Sequence, residues 1–444
     1  MEIKFPEQVD RALALLHEAG FEAYAVGGCV RDIVMGRNPD DFDITTSALP
    51  EETKQVFDGF KIIETGIKHG TVSVIVDGES LEITTYRVDG SYSDGRHPDE
   101  VSFSKNLAED LKRRDFTINA MAFNHGQGLI DPFDGRGDIQ RKVIRCVGEA
   151  GSRFKEDSLR ILRALRFAST LGFEIEGKTQ KAAFENKTEL RSVSAERVRE
   201  EICKLIFGTN VRRVLIENIE ILGEVIPELL PMKGFEQRNP HHIYDVLEHT
   251  AAAVSAAPKD LTVRLAALFH DIGKPACFSV DENGTGHFYG HAEISAAMTD
   301  NIMRRLRFGN EIRNNVVMLV RFHDRQIELQ ERAVKRALNK FGDSGFSMLF
   351  ELKKADNAAQ APEYSFRMEY YSHLKEIYEK IMSDKMCFSI KNLAVNGNDI
   401  MKAGVVQGPE VGRILSRLLD EVIEGTLLNE KDVLIEEIKK TVKN

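Results

Sequence analysis

Two carboxylates, Asp41 and Asp43, stand two residues apart in Asp40-Asp-Phe-Asp-Ile44. In an extended segment, residues i and i+2 point to the same face. Carboxylates held side by side repel unless a cation lies between them, and hard oxygen ligands suit Mg²⁺. A magnesium pair at such a site lowers the pKa of an attacking hydroxyl and neutralises a leaving pyrophosphate, a two-metal mechanism. An isolated Asp-x-Asp is more often a solvated acidic turn, but the segment before it reverses that preference. Tyr24-Ala-Val-Gly-Gly-Cys-Val-Arg-Asp32 reads as a strand, a Gly-Gly turn and a helix. Gly28 lets the backbone approach a triphosphate, the helix start offers amide N–H groups, and Arg31 supplies a forked donor. No GxxxxGK[ST] segment is present, so P-loop chemistry is not the explanation. Glu82, in Leu81-Glu-Ile-Thr84, alternates onto one face of a later strand and is a candidate third carboxylate.

Farther along, Asp157, Arg160 and Arg163 follow at i, i+3 spacing in Phe154-Lys-Glu-Asp-Ser-Leu-Arg-Ile-Leu-Arg-Ala-Leu-Arg166. The periodicity predicts one helix with these three as neighbours, Leu159, Leu162 and Leu165 as its buried stripe, and Arg166 about half a turn away. Cytosine and adenine both present an amino donor beside a ring-nitrogen acceptor. Asp157 can accept from the amino group while Arg160 donates to the ring nitrogen. Guanine and uracil carry the reverse pattern and would leave buried polar groups unpaired. Read alone, the Asp-x-x-Arg spacing is an ordinary surface ion pair worth roughly 0.2–0.5 kcal/mol.

A second constellation is made of His249, His270-Asp271, His291 and His323-Asp324. His270-Asp271 ends an apolar helical run, Val263 to Phe269, and precedes Ile272-Gly-Lys274. One His-Asp dipeptide is trivial. Histidines on several helices together with two aspartates suit Mn, Fe, Ni or Zn.

The elements that must position these groups divide the chain. Short β-branched runs such as Thr71 to Val76 and Leu81 to Tyr86 alternate with helical patterns through the first 145 or so residues. From Arg153 onward the 3.6-residue periodicity dominates, with Gly or Pro at the breaks. The fold class expected is α+β: a mixed-sheet head followed by an all-helical remainder. The expected domains are a catalytic head at 1–145, a neck at 146–205, a body at 206–240, a metal-binding helical domain at 241–335 and a helical tail at 336–444.

With 444 residues and 42% hydrophobic composition the chain is long enough for several cores. No apolar run approaches the roughly 18 residues that cross a bilayer, so no membrane partner is expected. The five cysteines are scattered without a CxxC pair, which points to a reducing, cytoplasmic setting. A net charge of −10 argues against nonspecific coating of nucleic acid. Between Arg141 and Thr170, however, eight Arg or Lys face three Asp or Glu, a local basic surface for one end of an RNA.

With these pieces in order, the first 200 residues resemble the class II tRNA nucleotidyltransferase and poly(A) polymerase family. The matching motifs are Gly27-Gly-Cys-Val-Arg-Asp32, Asp41-Phe-Asp43, Arg113-Arg-Asp-Phe-Thr-Ile-Asn119, Glu156-Asp-Ser-Leu-Arg160 and Ala195-Glu-Arg-Val-Arg199. The resemblance implies a nucleotidyltransferase head, a neck whose Glu156–Arg160 segment serves as nucleotide template, and body and tail regions that hold tRNA. It implies metal on Asp41 and Asp43, and a nucleotide pocket from Gly28, Arg31, Arg114, Asp157, Arg160, Arg163 and Arg166, with ATP and CTP as substrates. The Glu64–Val72 segment and the Tyr92-Ser-Asp-Gly-Arg-His-Pro98 loop resemble full CCA-adding members more than poly(A) polymerase or enzymes that add only part of CCA. The segment from 241 to Asp324 resembles the HD metal-dependent phosphohydrolase superfamily. By that resemblance His249, His270, Asp271 and Asp324 are metal ligands, His291 and His323 serve a second metal or a phosphate, and Lys274 holds a phosphate oxygen. Two other readings stand beside the transferase: a phosphohydrolase acting on cyclic or terminal phosphates of RNA, and a noncatalytic RNA-end-binding protein.

Overall fold

The computed structural model describes residues 4–64, 66–67, 70–89, 101–239, 243–360 and 367–443. The loop from Tyr92 to Pro98, part of the Glu64–Val72 segment and the start of the 241–324 segment lie outside the described residues. The chain forms two compact units, Met1–Leu230 and Pro231–Asn444.

The first unit opens with the head. Its strands are β1 (Ala23–Val26), β2 (Asp43–Thr46), β3 (Lys61–Ile63), β4 (Thr71–Val76), β5 (Glu79–Thr85), β6 (Arg87–Asp89), β7 (Val101–Phe103), β8 (Ala122–Asn124) and β9 (Gly128–Ile130). Seven of them form a mixed sheet in the order β3-β4-β5-β2-β1-β8-β9, while β6 and β7 pair separately. Within the large sheet only β2 and β5 run parallel. Side chains alternate across a pleated strand, and β1 uses both faces. Ala23 and Ala25 join the larger core with Val72, Val74 and Ile83, whereas Tyr24 and Val26 pack with Tyr86 and Leu111 in a second cluster. Helices α1 (Glu7–Glu18), α2 (Gly28–Val34), α3 (Pro50–Val56), α4 (Leu107–Lys112) and α5 (Gly135–Arg141) complete the head.

The neck follows as α6 (Ala150–Glu156), α7 (Leu159–Leu171), α8 (Gly177–Glu185), α9 (Ala195–Ile206), α10 (Val211–Glu217) and α11 (Ile219–Leu222), with a short parallel pair of β10 (Val143–Ile144) and β11 (Glu174–Ile175). Helix α7 buries Leu162, Leu165 and Ala168, and α9 buries Val198, Ile202 and Leu205.

The second unit contains α12 (Val246–Ala256), α13 (Leu261–Phe269), a hairpin of β12 (Ser279–Val280) and β13 (Gly286–His287), then α14 (His291–Arg305), α15 (Asn310–Phe322), α16 (Glu331–Ala358) and α17 (Arg367–Ser383). The chain ends in α18 (Gly397–Lys402), α19 (Pro409–Glu424) and α20 (Lys431–Lys443), which share a separate apolar core around Ile400, Ile414, Leu418, Leu434 and Ile438. Among the described residues no helix is long and apolar enough to cross a membrane.

The mixed-sheet head and helical remainder are as expected, apart from the two small strand pairs. Two local expectations fail. The boundary placed at 335/336 falls inside the first helical segment of α16, which is kinked at Gly342, a residue with non-helical φ +71° and ψ 172°. The single helix expected through Asp157 is two helices: Asp157 has φ −143° and ψ 101°, an extended conformation between α6 and α7. Periodicity continued across this break because the leucine stripe belongs wholly to α7.

Close approach of α7 to the end of α9 depends on Gly208. A Cβ there would lie 2.4 Å from the carbonyl carbon of Ser169, whose hydroxyl donates to the Leu205 carbonyl at 2.7 Å. Gly208→Ala is expected to destabilise the first unit by about 1–3 kcal/mol. Thermal denaturation reads this as a fall of about 2–4 °C per kcal/mol in that unit's transition. An unchanged transition would mean that the two helices slide apart without cost.

Candidate active site

Asp43 is the first residue of β2. Its register partners are Val26, the last residue of β1, and Glu82 on β5. The Gly27-Gly28 turn therefore leaves the sheet beside the carboxylates, and Glu82 stands directly next to Asp43. Gly27 has φ +83°, and a Cβ there would lie 3.0 Å from Arg114 Nη1 and 3.8 Å from Asp43 Oδ2. Turn, arginine and carboxylate thus converge on one point, and the left-handed backbone selects glycine. The residue Asp43 keeps contact with solvent, yet protein surrounds much of its carboxylate. That loss of water is the largest influence and raises its pKa; Arg114 pulls it down, while Asp41 and Glu82 push it up, to about 6 overall. Asp41 and Glu82 both act on Asp43 as neighbouring negative charges, and a cation would relieve that repulsion, although among the described residues these three carboxylates do not bring their ligand atoms together as the histidine groups do.

Arg113 and Arg114 are anchored by Asp110, a fully buried carboxylate on α4. Arg113 Nη2 lies 2.7 Å and Arg114 Nη2 3.4 Å from its oxygens. Burial would raise the Asp110 carboxyl, but Arg114 and Arg113 hold it below its ordinary value. Asp115 is buried too. It accepts from the Phe116 amide at 2.8 Å, from Asn119 Nδ2 at 3.1 Å and from Arg163 Nε at 2.8 Å. Asn119 Oδ1 in turn accepts from Arg31 Nη1 at 2.8 Å. A continuous chain, Arg31–Asn119–Asp115–Arg163, ties the Gly-Gly module to α7.

Asp157 and Arg160 do not pair with each other as an ordinary i, i+3 ion pair would. Asp157 Oδ2 accepts from Arg197 Nη2 at 2.8 Å and Oδ1 from the Leu159 amide at 3.1 Å. Arg160 donates instead to Glu156 at 2.9 Å, to the Arg113 carbonyl at 3.0 Å and to the Arg153 carbonyl at 3.3 Å. Both groups nonetheless line one cavity of about 250 Å³, with Arg113, Arg114, Asp115, Leu159, Arg163 and Arg197. A carboxylate offers about four lone-pair sites and a guanidinium five N–H donors. Asp157 and Arg160 therefore retain an acceptor and a donor for a base edge while their frames are fixed by other partners. The break at Asp157 is what separates the two side chains. Arg166 lies apart from this cavity, 2.9 Å from Glu201 and 4.1 Å over the Phe167 ring; burial pulls it down to about 10. Arg197 was missed as a site residue. Its motif is visible in the sequence, but its partner lies 40 residues away.

In the second unit, His249, His270, His291 and His323 are buried and converge on Asp271. Each ring is oriented the same way. Nδ1 hydrogen bonds a backbone carbonyl (Ala359 for His249 at 3.2 Å, Ala267 for His270 at 2.8 Å, Phe288 for His291 at 2.9 Å, Val320 for His323 at 2.6 Å). A carbonyl accepts, so Nδ1 carries the proton and Nε2 presents a lone pair inward. The Nε2 atoms meet in pairs, His249 with His270 at 3.3 Å and His291 with His323 at 3.2 Å. Asp271 stands between the pairs: Oδ2 is 3.5 and 3.2 Å from the first, Oδ1 3.5 and 3.7 Å from the second. Facing lone pairs require a cation, either a proton or a metal. Burial would lower His270, but Asp271 and Asp356 raise it to about 10. Two three-residue groups, His249/His270/Asp271 and Asp271/His291/His323, have ligand atoms close enough for one ion each.

Asp324, expected as a ligand, is exposed and at the cavity rim. His323 follows the last turn of α15 with its ring inward. Asp324 follows in the turn beyond the helix and is exposed. Asp356 on α16 takes that place, its Oδ1 3.0 Å from His249 Nε2 and 3.7 Å from His270 Nε2. No local dipeptide marks Asp356, so its part in the cluster is not legible from residue spacing. Lys274 Nζ lies 2.7 Å from Asp271 Oδ2 and donates to Gln237 at 2.7 Å.

The mixed sheet, acidic strand and adjoining base pocket define a nucleotidyltransferase architecture. The poly(A) polymerase head-domain family matches residues 23–145, and the tRNA nucleotidyltransferase domain 2 family matches residues 287–438. The CCA-adding enzyme of Lactobacillus delbrueckii subsp. bulgaricus is 36% identical over 425 residues, 96% of this chain and 95% of its own. That of Ligilactobacillus salivarius is 33% identical over 443 residues, 98% and 97% of the two chains. Among solved structures, the Bacillus stearothermophilus CCA-adding enzyme in complex with CTP is 29% identical, superposes with a TM-score of 0.75, and is covered to 98% by 99% of this chain. The chain belongs to the CCA-adding enzyme family and is a nucleotidyltransferase; that family's chemistry uses divalent metal.

The Asp43 carboxyl gives a pH signature. A carboxyl whose folded pKa lies above its unfolded value weakens the metal-free fold progressively as pH rises from 3.8 to about 6, and by a constant amount above that. Below about 6 a metal must displace a proton. The rise in melting temperature produced by Mg²⁺ is therefore expected to be larger at pH ~7.5 than at pH ~5.5 by differential scanning fluorimetry. Equal shifts at both would exclude Asp43 as a ligand.

Proposed function

We propose that this protein adds CMP, CMP and AMP to the 3′ end of tRNA in the cytoplasm, taking CTP and ATP with Mg²⁺ and no nucleic-acid template. The observation that carries this reading is the shared cavity that presents the Asp157 acceptor and the Arg160 donor. Asp41 and Asp43, with Glu82 beside them, would hold the magnesium. When bound, it supplies charge neutralisation at the triphosphate and activation of the attacking hydroxyl. Asp43, ionised above about pH 6, aims its carboxylate at that point. Arg114, braced by Asp110, and the Gly27-Gly28 backbone bind phosphate oxygens; Arg31 is held by Asn119 and by Asp32 at 2.8 Å, which fixes the turn that carries them. Asp157 and Arg160 accept and donate toward the base, Arg197 fixes the Asp157 carboxylate, and Arg163 is held on Asp115. This donor-acceptor order fits cytosine and adenine together, which is why one pocket serves both CTP and ATP.

A second activity is supported by the histidine cluster. Four inward Nε2 lone pairs around Asp271, with Asp356 alongside, fit a borderline transition metal such as Mn, Fe, Ni or Zn. Lys274 is positioned for a phosphate oxygen. The cluster is read as a metal-dependent phosphohydrolase acting on phosphorylated RNA 3′ ends, so that one unit cleans the terminus the other extends.

With tRNA lacking its 3′ end, Mg²⁺ and each NTP in turn, incorporation of C and A alone is expected on substrates ending in N, C and CC. A long tail of A would make the protein a poly(A) polymerase, and C without A a partial adder. Asp43→Ala is expected to lower addition at least about 100-fold, as loss of several kcal/mol of charge stabilisation requires, and to leave phosphate release intact. Asp271→Ala should do the reverse; loss of both activities in either variant would refute the separation of the two sites.

A further inference from the structure

Tyr289 is 76% exposed. A single exposed aromatic needs no explanation, but this one is built into a rigid frame. Its ring stacks on His287, with centroids 5.3 Å apart and planes 8° from parallel. His287 is fixed in turn by Asp281, whose Oδ2 lies 2.9 Å from its Nε2. Asp281 also closes the β12–β13 turn, its Oδ1 accepting from the Asn283 and Thr285 amides at 2.9 Å each. Immediately after Tyr289, Gly290 turns in the left-handed region (φ +75°) and α14 begins at His291, one of the four inward imidazoles. Two residues separate platform and ligand, so their Cα atoms are at most about 7 Å apart. The carbonyl of Phe288, the residue just before Tyr289, orients the His291 ring, and the Phe288 ring lies 5.1 Å from Lys274 Nζ.

His287 and Tyr289 line the same cavity of about 330 Å³ as Asp271, Lys274, His291 and Asp356. One wall therefore carries a cation and metal-ligating groups, and the mouth carries a flat π surface with its outer face free. That combination matches a ligand with a phosphate at one end and a planar base at the other. A phosphate ester without a base uses only the inner wall.

We propose that Tyr289, stacked on His287, is a base-stacking platform that makes the histidine-cluster cavity select ribonucleotide phosphates over phosphate esters that lack a base. The proposal rests on the reading of this cluster as a phosphate-ester site and names its specificity-determining residue. A free nucleotide and the 3′-phosphorylated end of an RNA share this chemistry.

The test uses the full chain loaded with Mn²⁺ and a uridine 3′-phosphate, since the base selection argued for the head rejects uracil. Binding is measured by equilibrium dialysis and turnover by phosphate release, with ribose 5-phosphate as the base-free comparison and a short oligouridine ending in a 3′-phosphate as the RNA end. Tyr289→Ala is expected to raise Kd and KM for the uridine phosphate about tenfold, within the range of base–aromatic stacking. kcat should stay within about twofold, ribose 5-phosphate should bind as in the wild type, and Tyr289→Phe should restore the wild-type values. Equal affinity of wild type and Tyr289→Ala for the uridine phosphate, or an equal loss for ribose 5-phosphate, would overturn the platform. Base-dependent binding without phosphate release from any of the three proteins would support the platform and refute the hydrolytic reading. Tighter binding of the oligonucleotide than of the mononucleotide would support an RNA end as the occupant, and the reverse order a free nucleotide.

Discussion

A carboxylate buried in protein stays ionised only when donors replace the water it has lost. Asp115 meets that condition with partners drawn from two separated parts of the chain. The Phe116 amide and Asn119 come from its own motif, and Arg163 from α7. Burial would raise its carboxyl, yet Arg163 and Asn119 hold it well below the usual carboxylate range. Because Asn119 also accepts from Arg31, the Gly27-Gly28 turn and helix α7 are tied through one anion. Removing any member leaves a buried charge or donor uncompensated, a loss larger than that of a surface ion pair. The alignment of the proposed phosphate and base sites in this unit depends on that anion.

The two candidate metal sites follow opposite electrostatic strategies. In the head, Asp43 feels Asp41 and Glu82 as neighbouring negative charges and keeps contact with solvent, a setting that suits a hard, weakly held cation. In the second unit, imidazoles are buried, their tautomers set by carbonyls, and their lone pairs point at a single bridging carboxylate. The first arrangement suits an ion that arrives with a triphosphate and leaves with pyrophosphate. The second suits an ion that resides.

Much of this was legible in the sequence because the informative residues are close together in it. Gly27-Gly28 and Arg113-Arg-Asp115 each act within one short segment, so their spacing reports their geometry, whereas Asp41 falls outside the strand that Asp43 opens. Glu82 was reachable through strand alternation, and the sheet register set it beside Asp43. What escaped were pairings made by tertiary folding. Asp157 looked like a neighbour of Arg160 because the leucine stripe of α7 carries helical periodicity up to the break. The extended backbone at Asp157 turned it to Arg197 instead. Asp324 looked like a ligand because it follows His323, but it lies exposed in the turn after α15, and Asp356 reached the cluster from α16.

The orientation of the four imidazoles has a consequence for handling the protein. Were the proposed divalent ion removed, the pocket would not be left empty of charge, since inward lone pairs and a buried aspartate demand compensation; hydrogen ions would enter as the ion left, with His270, raised by Asp271 and Asp356, a receptive site. Chelation would then be an acid–base event as well as a loss of metal, and reloading would liberate what was taken up. A chain prepared in chelator and one prepared in metal would carry different ionisation in their interiors at the same buffer pH.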